Sequence, residues 1–130
     1  MLVHKILVDT SFVAKLIGLG GEKEQKKCQN YIIGSVLIAP KLLHYEIGNV
    51  FLKYPALDVN LLFEAFENLA IEWHDIKNDR IIFDIARKYK LTFYDAIYFG
   101  LLIMHEEIMT FLTYDTDFVK ITDPRIKILH

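Results

Sequence analysis

Two short apolar runs limit the folds open to this chain more than any other feature: Ile6-Leu7-Val8, within residues 5–8, and Val36-Leu37-Ile38-Ala39. A strand with one face in water alternates apolar and polar residues. These runs do not alternate, so each needs cover on both faces, as in a parallel sheet. Weaker strand signals follow at residues 70–73, 109–113 and 126–129. Helical patterns lie between them. One follows Thr10-Ser11 and is broken by Gly18, Gly20 and Gly21; the next covers residues 22–33. Residues 41–53 carry Leu43, Ile47, Val50, Phe51 and Tyr54 at helical spacing, with Pro55 just beyond. Asp58 caps a further helix to Leu69, and residues 78–90 form another, whose last turn holds Arg87, Lys88 and Lys90. Residues 94–105 are apolar on almost every side, which predicts a deeply packed helix. Strands separated by helices predict an α/β fold, a three-layer α/β/α sandwich around a parallel sheet of four to five strands.

A length of 130 residues suits a single domain, residues 1–130. The 53% of apolar residues fits a sheet buried on both faces, with apolar surface left over for a partner. A net charge of −2 excludes a binder that holds nucleic acid by bulk positive charge, but not a nuclease built on an acidic centre. Cys28 has no partner for an internal disulfide, and no Cys/His set has zinc spacing, so a reducing cytoplasmic location is expected. The apolar N-terminal run ends at Asp9, too soon for a secretion signal, and the longest apolar stretch, residues 96–104, is half a membrane span. No membrane association is expected.

The placement of the carboxylates carries the functional argument. Asp9 follows the first strand; Asp115 follows the fourth, with Asp117 two residues on. Ligands of open parallel sheets bind outside the carboxyl ends of the strands, where the strand order reverses. Glu46 sits at the flank of an apolar helix face, and Asp95 opens the most apolar helix. Each acid also has a plain structural explanation. Asp9 can cap the helix after it, and Glu46 can be a boundary residue. Thr92-Phe93-Tyr94-Asp95 matches a capping box, while Asp115 and Asp117 suit a cap and first turn before Phe118. Together they make a crowded acidic set that stays ionised only beside cations. Oxygen-only donors suit Mg²⁺ or Mn²⁺, ions able to promote phosphodiester hydrolysis.

Four segments, Ile6-Leu7-Val8-Asp9-Thr10-Ser11, Pro40 with Glu46-Ile47-Gly48-Asn49-Val50, Leu91-Thr92-Phe93-Tyr94-Asp95-Ala96 and Leu112-Thr113-Tyr114-Asp115-Thr116-Asp117-Phe118, resemble the PIN-domain family in order and spacing. The resemblance spans nearly the whole chain and points to the VapC-type branch of toxins held inactive by a small antitoxin. It implies strand order 3-2-1-4-5, Mg²⁺- or Mn²⁺-dependent endoribonuclease activity on RNA, and a homodimer. It also implies that Asp9, Glu46, Asp95 and Asp115 form the metal site, with Asp117 a more variable fifth acid. Asp9 and Asp95 would be direct ligands and Asp115 a direct or water-mediated one; Glu46 would be a ligand or would position the attacking water. Thr10, Ser11, Asn49 and Thr113 would support the acids by hydrogen bonds. Phe93 departs from the small polar residue that many members carry there, and Gly18 to Gly21 loosens the first connection.

Other readings fit less well. A haloacid-dehalogenase-type phosphatase needs a second Asp where Ser11 stands, and a receiver domain needs acids that Asp9-Thr10 and Trp73-His74-Asp75 do not supply. The rival from another class is a catalytically idle PIN-like scaffold that binds a protein or RNA. The five histidines show no metal or triad spacing, and Lys26-Lys27 and the Arg87/Lys88/Lys90 group read as solvated helix faces. Tyr94, Tyr98 and Phe99 could stack on bases, but core packing suits at least two of them better.

Overall fold

The computed structural model describes residues 3–130; Met1 and Leu2, which begin the N-terminal apolar run, lie outside the described residues. The strands are β1 (His4–Val8), β2 (Ser35–Ala39), β3 (Glu72–Trp73), β4 (Ile108–Thr113) and β5 (Ile126–Ile128). They pair in parallel in the order β3-β2-β1-β4-β5, as the resemblance implied. The order runs outward from β1 in one direction and from β4 in the other, so the switch point lies between these two strands.

Among the described residues six helices cover the sheet: α1 (Thr10–Leu16), α2 (Glu22–Ile32), α3 (Leu42–Phe51), α4 (Val59–Glu67), α5 (Asp79–Tyr89) and α6 (Phe93–Met104). The unbroken apolar runs explain the layering. Ile6 and Val8 turn to one face with Leu37, Ala39 and Leu112, beneath Phe12, Cys28, Leu43, Ile47 and Phe66 of α1 to α4. Leu7, Ile38 and Phe111 turn to the other, against Ile82 of α5 and Ala96, Phe99 and Leu102 of α6. Burying a large aliphatic or aromatic side chain is worth about 1.5–3 kcal/mol, so β1, with Leu7 and Val8 fully buried, fastens both layers at once. Gly100 lets α6 lie close to its neighbours. A Cβ there would stand 2.6 Å from Ile76 Cδ1 and 3.3 Å from Ile85 Cδ1.

Two details differ from the sequence reading, the length of β3 and the end of α6. β3 is two residues long instead of four, because Ala70 adopts φ 52° in a turn that uses up the first half of the segment. Residues Thr116–Lys120 form a 3-10 turn with Asp115 as its cap and Asp117 in its first turn, as their places before Phe118 led one to expect. The C-terminal end of α6 emerges from the packing, with Ile103 43% and Met104 51% exposed. No helix among the described residues is long and apolar enough to cross a membrane.

Candidate active site

Strand register builds the first half of the site. Val8 pairs with Leu112, so the next residues, Asp9 and Thr113, lie side by side at the carboxyl ends of β1 and β4. Asp9 does cap α1: its Oδ1 accepts from the Phe12 amide at 3.0 Å and from Ser11 Oγ at 2.6 Å. Thr113 Oγ1 donates to Oδ2 of the same carboxylate. Ser11 Oγ in turn accepts from the Tyr114 amide at 2.9 Å, and Thr113 Oγ1 from the Asp115 amide at 2.9 Å. Two hydroxyls thus tie the end of β4 to the acid at the end of β1. Asp9 is only 5% exposed. Burial pushes its pKa up from 3.8 to about 6 against the pull of Ser11, Thr113 and the Phe12 amide, and the charge of Asp115 adds to the rise.

The second half comes from α3, α6 and the turn after β4. Thr92 caps α6 by accepting from the Asp95 amide at 3.1 Å. Among the described residues no bond returns from the Asp95 carboxylate, so the capping box is half made and that carboxylate is left to the cleft. Burial, then the charges of Asp115, Asp117, Asp9 and Glu46 in that order, lift the Asp95 pKa to about 6. Asp115 accepts from the Asp117 amide at 2.9 Å, which starts the 3-10 turn. One carboxylate oxygen from each of Asp95, Asp115 and Asp117 lies within 4.8 Å of the others. Glu46 stands across the cleft, where its Oε1 accepts from Thr10 Oγ1 at 2.9 Å and Tyr98 Oη at 2.6 Å.

Asp9, Thr10, Ser11, Glu46, Asp95, Tyr98 and Asp115 line a cleft of about 180 Å³. All four main acids singled out in the sequence therefore meet there, although Asp117, the expected accessory acid, joins the tightest group and Asp9 and Glu46 do not. Thr10, Ser11 and Thr113 bond to carboxylates. Asn49 does not: among the described residues its side chain makes no hydrogen bond to an acid, and it lines a separate groove on α3 and α4. That groove is larger, about 630 Å³, but its walls are aromatic and aliphatic (Tyr45, Phe51, Leu52, Tyr54, Phe63), suited to receiving a side chain, not to acid–base work.

Sequence reasoning missed Tyr98 as the partner of Glu46. The available signal was its place one turn after Asp95, on the same side of α6, and the need of a buried tyrosine for a hydrogen-bond partner. It also missed Tyr114, whose hydroxyl donates to Glu24 Oε2 at 2.7 Å and lies 3.4 Å from Cys28 Sγ. Burial pushes the Cys28 thiol pKa up, consistent with an unreactive thiol. His44 is structural, stacked on Trp73 with ring centroids 4.1 Å apart.

The donor set fits a hard divalent cation. It is all oxygen, with no Cys or His in the compact acidic group, and the mutual repulsion that adds to burial in raising Asp95 is what a cation would relieve. Residues 6–124 match the family model of the PIN domain. The chain belongs to the PIN-domain family. PIN domains are typically nucleases and commonly use divalent metals. Among solved structures, this PIN domain is similar to PAE2754 from Pyrobaculum aerophilum, at a TM-score of 0.71 and 22% identity over 97% of this chain and 84% of that one. It is likewise similar to a toxin-antitoxin complex from Klebsiella pneumoniae, at a TM-score of 0.70 and 21% identity over 94% of this chain and 95% of that one. At these identities the likeness speaks for the fold. No curated protein matches the sequence.

Proposed function

We propose that this PIN domain is a Mg²⁺- or Mn²⁺-dependent endoribonuclease and the toxin of a toxin–antitoxin pair, active in the cytoplasm. The observation that carries the reading is the meeting of Asp9, Glu46, Asp95 and Asp115, from four separate segments, around one all-oxygen cleft. Asp95, Asp115 and Asp117 would hold the cation, and Asp9 would complete its surroundings. Such an ion, when bound, neutralises charge on a phosphodiester and acidifies a water. The chain supplies the rest. Ser11 and Thr113 fix Asp9, so the carboxylate is in place before substrate arrives. Glu46, outside the compact group and held by Thr10 and Tyr98, would accept a proton from the attacking water.

The apolar groove of α3 and α4 supports the partner half of the proposal. Tyr45 and Leu52 on its rim are 75% and 78% exposed, and an apolar face of an antitoxin segment would cover them. The remaining exposed apolar side chains, Phe83 and Tyr94 among them, are what a homodimer contact would bury. The test is cleavage of single-stranded RNA by the purified protein: activity with Mg²⁺ or Mn²⁺ that disappears in EDTA is expected. Cleavage that persists in chelator would remove the metal mechanism.

A further inference from the structure

Glu46 differs from the other acids of the cleft in how it is held. Both hydrogen bonds it receives fall on one oxygen: Tyr98 Oη donates to Oε1 at 2.6 Å and Thr10 Oγ1 donates to the same atom at 2.9 Å. The two hydroxyls are 3.3 Å apart and close a triangle with that oxygen. Oε2 has no hydrogen bond among the described residues, and Glu46 lines the cleft. Asp9, by contrast, accepts on both of its oxygens.

Tyr98 is well placed to act as a fixed anchor. It is 2% exposed, so its hydroxyl has little water to turn to. Burial, then the charge of Glu46, push its pKa far up, so the phenol keeps its proton and remains a donor. Its ring lies parallel to that of Phe111 on β4, centroids 6.3 Å apart and planes 4° apart. Phe111 is itself wholly buried against Phe118. The helix that carries Asp95 thus also carries, one turn on, the hydroxyl that holds Glu46.

Building on the nuclease reading, we propose that Tyr98 is a positioning residue for hydrolysis: with Thr10 it holds Glu46 by Oε1, so that Oε2 alone takes the proton of the attacking water. In that step the water oxygen forms a bond to phosphorus, its proton passes to Glu46 Oε2, one P–O ester bond breaks, and solvent protonates the leaving oxygen. An unanchored glutamate would share its charge between several rotamers, and a small displacement of a reacting group is costly in rate. Tyr98 touches neither water nor phosphate; it acts through Glu46.

The experiment is Tyr98→Phe, which deletes one oxygen and keeps the ring. Wild type, Y98F, E46Q and the double variant are compared for RNA cleavage in Mn²⁺, with Mn²⁺ affinity measured by calorimetry. The expected result is a loss in kcat of roughly 10-fold or more in Y98F, part of the ~10²–10⁴ that a positioned base contributes. KM and Mn²⁺ affinity stay within about two-fold of wild type, and Y98F on the E46Q background loses less than about two-fold more. Wild-type kcat in Y98F, or an equal loss with and without Glu46, would overturn the proposal while leaving the nuclease reading intact. Wild-type protein inert on RNA would overturn that reading itself, and this proposal with it. Where Y98F fails to fold, Thr10→Val removes the other bond to Oε1 and carries the same test, with the same non-additivity expected.

Discussion

The Asp9 side of the cleft and the Asp95 side hold acids of the same raised pKa among unlike neighbours. Asp9 is buried and surrounded by donors, from Ser11, Thr113 and the Phe12 amide; the Asp95 carboxylate receives no hydrogen bond among the described residues and stands closest to Asp115 and Asp117. Burial lifts both to about 6. One side is finished by the chain itself, and the other, on the metal reading proposed above, would be balanced by a bound cation. A carboxylate that forms part of the scaffold and one that forms part of a binding site are thus distinguishable by their neighbours, even at equal pKa.

Alanine substitution should separate the two sides most sharply. Asp9→Ala and Asp95→Ala should each lower RNA cleavage at least ~100-fold, about 2.7 kcal/mol of barrier at 1.36 kcal/mol per decade. Their stabilities should diverge. At pH 5, where Asp9 largely keeps its proton, Asp9→Ala leaves two hydroxyls and an amide without their acceptor and loses a helix cap, a cost of about 1–3 kcal/mol. Asp95→Ala breaks no hydrogen bond of its carboxylate and should melt no lower than wild type in EDTA at the same pH. Equal melting temperatures for the two variants, by calorimetry, would break the contrast.

The next effect is on the pH dependence of the metal-free protein. Both folded pKa values lie above the ordinary 3.8, so the folded state binds these protons more tightly than the unfolded one. The stability they contribute is fully present below about pH 4 and is lost as pH rises through about 6. For Asp9, the rise from 3.8 to about 6 corresponds to roughly 3 kcal/mol at 1.36 kcal/mol per pH unit. Asp95 is less buried and contributes less. Denaturant titrations in EDTA should show the fall between pH 4 and 7, with a shallower slope in Asp95→Ala. Saturating Mn²⁺, which binds the folded state alone, should flatten it. A slope unchanged by Mn²⁺ would separate the cation from these acids.

How much of this was legible in the sequence depends on the distance over which each contact forms. The strands and their parallel pairing follow from local apolar runs such as Ile6-Leu7-Val8, and Asp9 and Asp115 stand out because they sit just past strand ends. β3 was overestimated because its first residues look strand-like while Ala70 takes a left-handed turn, which no side-chain pattern announces. Tyr98 and Tyr114 escaped because their partners, Glu46 and Glu24, are 52 and 90 residues away. Such pairs are set by how helices settle on the sheet. Asn49, one turn from Glu46, was taken for a supporting residue, yet the wind of α3 carries it to the apolar groove.

The smallest expected effect is at Asp117, the exposed member of the compact group. Solvent and salt screen its charge, so Asp117→Asn should weaken Mn²⁺ binding by only about 3-fold and leave the metal-free melting temperature unchanged. A loss as large as that of Asp95→Ala in calorimetric titration would move the cation's centre outward, toward the 3-10 turn.

The pairing of β1 with β4 also sets a timetable. The central strand receives a neighbour from residues Ile108–Thr113, far along the chain, and Thr113 stands 104 residues from Asp9. A ribosome delivers the chain from its N-terminus, so Asp9 is made early and waits for Thr113, its closing donor, and for Asp115 across the cleft. Contacts of such long separation form late and slowly. Until β4 and the turn after it have emerged, the nascent chain carries Asp9, Glu46 and Asp95 and no assembled cleft, so whatever chemistry the cleft performs is absent from unfinished copies.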